Sequence, residues 1–162
     1  MKALTILVAE DDLLSRMVLE RSVVQWGHQL VSAADGESAQ EVLRTRSIDL
    51  CLLDWEMPKM TGLEICNWLR TIPMDQKPYV ILITGREQPE EIQAGYEAGA
   101  DDYIMKPCDL KYLRRRIATV ADKLSRQEAF LDKAAVGSTG SIAGLSPLDI
   151  YLSDLRLMRR KT

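Results

Sequence analysis

Four positions in this chain set reactive groups at the ends of short apolar runs. Glu10-Asp11-Asp12 follows Leu4–Ala9, Asp54 follows Ile48–Leu53, Thr84 follows Tyr79–Ile83, and Lys106 follows Asp102–Met105. Carboxylates gathered at one place repel and resist joint ionisation. A hard divalent cation removes that penalty, and Mg²⁺ prefers a few carboxylates with several waters. A lysine beside them faces whatever anion the metal collects. A carboxylate, Mg²⁺, a lysine and a hydroxyl are the parts needed to place a phosphoryl group. The carboxylate can itself be the nucleophile, giving an aspartyl phosphate, and Asp54 is the candidate because it ends the most apolar run. In the bland alternative these acids are helix caps and solvated loop residues. Asp12, just ahead of the first helix, fits that alternative; the whole set does not.

The elements around these positions alternate. Leu4–Ala9 reads as a buried strand and Leu13 to Trp26 as a helix stopped by Gly27, with Leu14, Met17, Val18 and Val24 at helical spacing. Leu30–Ala33 is a strand, and Ser38 to Arg44 a helix entered through Asp35-Gly36. Ile48–Leu53 is a strand, and Leu63 to Arg70 a helix that Pro73 cannot extend. Tyr79–Ile83 is a strand, Glu90 to Ala98 a helix ended by Gly99, and Asp102–Met105 a last strand before a long helix from Asp109. This (βα)₅ pattern predicts an α/β fold: a doubly wound, five-stranded parallel sheet with helices on both faces. The strands are apolar throughout, as expected when both sheet faces are covered. In such sheets the working site lies at the carboxyl ends of the strands, where the reactive residues stand.

Composition narrows the class. The chain has 162 residues, 21 Lys+Arg against 24 Asp+Glu, a net charge of −3, 46% hydrophobic and 28% charged residues. That suits a globular protein with a sizeable core. The mild acidity argues against general nucleic-acid binding. No apolar run reaches membrane-span length, and the opening Met1-Lys2-Ala3 does not read as a signal peptide, so a cytoplasmic location is expected. Cys51, Cys66 and Cys108 form no CxxC pair and are expected to be reduced thiols, Cys51 within a strand. His28 lies at a helix–strand junction with no metal-ligand partner nearby in sequence.

The motifs Ile6-Leu7-Val8-Ala9-Glu10-Asp11-Asp12, Asp54-Trp55-Glu56-Met57-Pro58-Lys59-Met60-Thr61-Gly62, Ile83-Thr84-Gly85 and Ala98-Gly99-Ala100-Asp101-Asp102-Tyr103-Ile104-Met105-Lys106-Pro107 agree in order and spacing with one family. The chain resembles the CheY-like receiver domain of two-component response regulators, over about residues 3 to 124. The resemblance implies a flavodoxin-like strand order 2-1-3-4-5 and a phosphorylation-controlled switch rather than an enzyme. Asp54 would accept phosphate from a histidine kinase or histidine phosphotransfer protein. Asp11, Asp54 and the main-chain carbonyl of Glu56 would bind Mg²⁺, with Glu10 acting through water. Lys106 and Thr84 would meet phosphoryl oxygens, and Gly85 would leave room for the group. Thr84 and Tyr103 would be the switch pair, reshaping the face of the fourth helix, fifth strand and fifth helix. The Lys106–Pro107 bond would be cis.

Glu56 and Arg86 each stand two residues beyond a site residue. An ion pair between them across the pocket mouth would slow dephosphorylation; as two solvated charges they would do little. Trp55 is expected as a surface or loop residue beside the metal, and Trp26 and Trp68 as packing residues.

Leu110, Leu113, Ile117, Val120, Leu124, Leu131 and Ala134, with Gln127 between, fall on a heptad seam. The expected organisation is a receiver over 1–124, a helical extension over 125–135, and a linker with a short amphipathic basic tail over 136–162. The extension, with the face around Tyr103, could pair with a second copy; a helix fraying past Lys123 is the alternative. The remaining partner is an unknown downstream protein, with no nucleic acid or membrane role. Two other readings stand beside this one. The chain could be the regulatory module of a longer output enzyme. A haloacid dehalogenase-type phosphatase also uses a strand-end Asp, but Pro58 and the lack of a cap domain speak against it.

Overall fold

In the computed structural model, residues 2–137 are described. The linker and basic tail expected after that lie outside the described residues. Strands and helices alternate: β1 (Thr5–Ala9), α1 (Leu13–Gln25), β2 (Gln29–Ala33), α2 (Gly36–Thr45), β3 (Leu50–Asp54), α3 (Gly62–Thr71), β4 (Tyr79–Thr84), α4 (Pro89–Ala98), β5 (Asp102–Met105) and α5 (Leu110–Gly137). The strands are all parallel, in the order β2-β1-β3-β4-β5. The central strand β3 is buried at every residue, which explains its unbroken apolar sequence. In register, Asp54 pairs with Ile83 and Thr84 with Met105, so the reactive residues stand at one edge of the sheet.

Side-chain caps start most of the helices. Asp12 accepts a hydrogen bond from Ser15 N at 2.8 Å, and Asp35 one from Ser38 N at 2.8 Å. Thr61 and Glu64 form a reciprocal capping box, and Asp109 accepts from the amides of Lys111 and Tyr112. Helix α4 is the exception, since its N-cap Gln88 makes no side-chain hydrogen bond.

Helix α1 forms where its spacing predicts, and the structure decides which face turns inward. Leu14, Met17, Val18 and Val24 are 51–73% exposed, whereas Leu19, Ser22 and Val23 are buried. The helix carries apolar residues on two faces, so spacing alone does not say which one meets the sheet.

The chain forms two units, one through Ala121 and one from Asp122. In the first, Leu113, Ile117, Val120 and Ala121 of α5 are buried. In the second, α5 continues to Gly137 rather than ending at Lys123, and Phe130 and Leu131 are exposed. Among the described residues no helix is long and apolar enough to cross a membrane.

The three cysteines are free thiols. Cys51 and Cys66 are buried, and burial pushes Cys66 up to about 12 and Cys51 higher still, so both stay protonated.

His28 is buried where α1 turns into β2, and its Nδ1 accepts from Leu4 N at 3.2 Å. Burial lowers its pKa below the ordinary 6.5, because the imidazolium is poorly solvated there. The unfolded chain therefore takes up this proton first as pH falls. Stability should drop once pH passes below 6.5 and level off below the folded value, with a slope of at most about 1.4 kcal/mol per pH unit. Denaturant unfolding of the native chain and of His28→Asn between pH 7.5 and 5.5 checks this; the variant should show the flatter profile.

Candidate functional site

The carboxyl ends of β1, β3, β4 and β5 bring Glu10, Asp54, Thr84 and Lys106 together. Glu10, Asp54 and Thr84 are buried, and Asp11 is exposed at the rim. Lys106 Nζ donates to Glu10 Oε2 at 2.8 Å and to Asp54 Oδ2 at 2.8 Å, joining β5 to β1 and β3. Asp54 Oδ1 accepts from the Glu56 amide at 3.2 Å, and Glu10 Oε1 from the Asp12 amide at 3.1 Å. Arg16 donates to the Glu10 carbonyl at 2.8 Å.

Burial raises the Glu10 carboxyl above its ordinary range, and the charge of Asp54 adds to this against the opposing bond from Lys106. Burial pulls Lys106 down, but its bonds to Asp54 and Glu10 outweigh that and raise it, so the ammonium persists. One ammonium faces two buried carboxylates, and Asp11 adds a third. Oxygens of Glu10, Asp11 and Asp54 lie within 4.8 Å of one another. An all-oxygen donor set with surplus negative charge fits a hard divalent cation.

Tight turns hold this geometry. A Cβ on Gly62 would lie 2.3 Å from the Asp54 carbonyl oxygen, and one on Gly36 would lie 1.8 Å from that of Met60. Gly62 N donates to Trp55 O at 2.9 Å, closing the β3–α3 loop under the site. A Cβ on Gly85 would meet nothing within 4 Å, so the space beside Thr84 is open. The Lys106–Pro107 bond is cis.

Beside the acidic pocket lies a second cluster that the sequence shows only in part. Arg86 Nη2 donates to Glu56 Oε1 at 2.7 Å, and Nη1 donates to the Glu91 carboxylate. The guanidinium carbon stands 5.2 Å from the centre of the Trp55 ring. Trp55 begins the loop after β3 and is 8% exposed, so of its two expected places it takes the loop and not the surface. Side chains alternate along β3, so Trp55 lies on the sheet face opposite Asp54, in the core cluster that holds Met57 and meets Tyr103. Trp68 is half-buried against the same core, and Trp26 is half-buried at the end of α1. Tyr103 is half-buried too, its ring edge-on to Trp55 at 6.5 Å, with Tyr96 also at 6.5 Å. The Tyr103 hydroxyl donates to Arg86 O at 2.6 Å, and Arg86 N donates to Thr84 Oγ1 at 3.3 Å. Glu91 and Tyr96 went unremarked in the sequence, because nothing in an amphipathic helix says which of its acids or rings will face a distant loop.

A family model described as the response regulator receiver domain matches residues 6–118. The chain belongs to this family. AfsQ1, a transcriptional regulatory protein of Streptomyces coelicolor, is 37% identical to this receiver over 134 residues, covering 83% of the chain and 57% of that protein. A probable cyclic di-GMP phosphodiesterase of Vibrio cholerae is 32% identical over 144 residues, 85% of this chain and 32% of that protein. The receiver thus spans between about a third and three fifths of these curated relatives. The receiver domain of a histidine kinase from Syntrophus aciditrophicus superposes with a TM-score of 0.71 at 31% identity, over 76% of this chain and 94% of that one. The chemotaxis protein CheY4 of Vibrio cholerae shares the fold, with a TM-score of 0.68 at 24% identity over 74% of this chain and 99% of that one.

The close approach at Gly62 gives a direct test of how the site is held. Gly62→Ala has no room without moving the Asp54 carbonyl, and overpacking of this kind costs about 1–3 kcal/mol. Urea unfolding should show that loss.

Proposed function

We propose that this receiver is a phosphorylation-controlled switch whose Asp54 takes a phosphoryl group from a phosphohistidine on a histidine kinase or histidine phosphotransfer protein. The observation that carries this reading is the buried Asp54 carboxylate at the end of β3, held at 2.8 Å by Lys106 and within 4.8 Å of two further carboxylates. Asp54 attacks phosphorus, the P–O bond forms, the P–N bond to the donor imidazole breaks, and the imidazole leaves with the bond's electrons. Asp11, Asp54 and the Glu56 carbonyl would hold Mg²⁺, and Glu10 would act on it through water. When bound, the ion supplies charge neutralisation and orientation for the phosphoryl oxygens. Lys106 and Thr84 meet two of those oxygens, and the open space at Gly85 admits the group.

A protein donor suits the exposed apolar residues of α1. Leu14 and Val18 line a groove with Ile83, Pro107, Cys108 and Leu110, of about 350 Å³, with Glu10 and Lys106 among its walls. Loading then biases Thr84 and Tyr103 toward one of two pre-existing arrangements of the α4–β5–α5 face, which controls a downstream protein or self-association.

Incubation with a phosphorylated phosphotransfer protein or a small acyl phosphate, with Mg²⁺, tests the reading. The native chain should take up phosphate that is labile as an acyl phosphate, Asp54→Asn should take up none, and chelation should stop the reaction. Equal labelling of Asp54→Asn would sink the assignment.

The Glu56–Arg86 pair is the proposed gate on the lifetime of that phosphate. Both side chains are substantially exposed, and an exposed pair is worth about 0.2–1 kcal/mol, so its removal changes a rate by roughly 1.5- to 5-fold. Arg86→Ala should shorten the phosphate lifetime by that factor, read from the decay of the labelled protein.

A further inference from the structure

Resting on the phosphoacceptor reading, we infer that Arg86 is a positioning residue that couples Asp54 to helix α4. Five contacts converge on this one residue. Its amide donates to Thr84 Oγ1 at 3.3 Å, and its carbonyl receives the Tyr103 hydroxyl at 2.6 Å. Its guanidinium ties Glu56, two residues beyond Asp54, to Glu91 in the first turn of α4. The same group lies over the Trp55 ring, and its Nε is buried with no hydrogen-bond partner among the described residues. Packing and the two terminal nitrogens therefore hold the side chain in place.

Gln88, the N-cap of α4, makes no side-chain hydrogen bond, and the Glu91–Arg86 contact ties the first turn of the helix to the loop before it. Further along, Gly95 gives α4 a bare surface against the switch ring. A Cβ there would lie 3.4 Å from Tyr103 ring atoms and 3.1 Å from Leu82 Cδ1. The ring of Tyr103 thus touches α4 directly, while its hydroxyl reaches the main chain of the residue that holds the first turn of α4.

The path is local and continuous. A Thr84 side chain that turns toward a phosphoryl group moves Oγ1 away from the Arg86 amide. The Arg86 main chain then shifts, taking with it the acceptor of the Tyr103 hydroxyl and the root of the guanidinium. Glu91 feels that shift through its ion pair, and α4 changes its first turn. Arg86 biases α4 in this way without touching the reacting atoms.

Hydrogen exchange measured over α4 separates coupling from simple support. Beryllofluoride with Mg²⁺ serves as the phosphoryl mimic, and calorimetry reports its binding. Calorimetry sets, for the native chain, Arg86→Ala, Arg86→Lys and Glu91→Gln, the mimic concentration that saturates each, so that exchange is compared between fully loaded and unloaded protein whatever the small shifts in affinity. In the native chain the mimic should change exchange over residues 89–98. In Arg86→Ala and Glu91→Gln that change should fall below about half, and Arg86→Lys, which lacks the planar fork that reaches Glu56 and Glu91 from separate nitrogens while lying over the Trp55 ring, should not restore it. A merely structural contact would alter exchange equally with and without the mimic and leave the difference intact; that result overturns the coupling. If the native chain binds no mimic, the phosphoacceptor reading itself falls, and the coupling falls with it.

Discussion

The ammonium of Lys106 between Glu10 and Asp54 is the contact on which the site depends. Two carboxylates buried side by side would each force the other toward its protonated form. Lys106 reaches both at 2.8 Å, and neither is more than slightly exposed, so the attraction acts where water screens it little. The three residues come from β1, β3 and β5, far apart in sequence. That contact therefore requires the whole parallel order β2-β1-β3-β4-β5 with its correct register. The fold, for its part, must tolerate a charged knot at its rim, and does so by making β1, β3 and β4 almost wholly apolar behind it.

Around that knot, close packing turns a loop into a fixture. Gly62 comes so near the Asp54 carbonyl that no side chain fits, and Trp55 is driven inward where Tyr103 and Arg86 meet it. The acidic pocket and the aromatic cluster are thus opposite sides of the same short segment, Asp54-Trp55-Glu56. The alternation of a strand end sends Asp54 to the acidic pocket and Trp55 to the aromatic cluster on the other face of the sheet, so the two sites share one backbone segment.

Helix α1 marks a different kind of constraint. Its exposed residues, Leu13, Leu14, Met17, Val18 and Val24, form a broader apolar surface than a solvated helix needs. Leu14 and Val18 share a groove with Glu10 and Lys106, so this surface borders the reacting groups rather than some remote part of the fold.

Much of this was legible in the sequence. The strand–helix alternation, the acids, hydroxyl and lysine at strand ends, and the caps at Asp12 and Asp35-Gly36 follow from local rules: apolar runs, helical spacing and turn chemistry act over a few residues. The pairing of Glu56 with Arg86 was expressible as a guess because both flank site residues. What the sequence left open was which face of a doubly apolar helix turns inward, where Trp55 points, and that Glu91 and Gly95 of α4 meet Arg86 and Tyr103. Those facts were decided by the tertiary structure. Each depends on atoms brought together across tens of residues, where a single rotation of a helix or one step of strand register sends a side chain to the opposite side, and no local preference distinguishes the two.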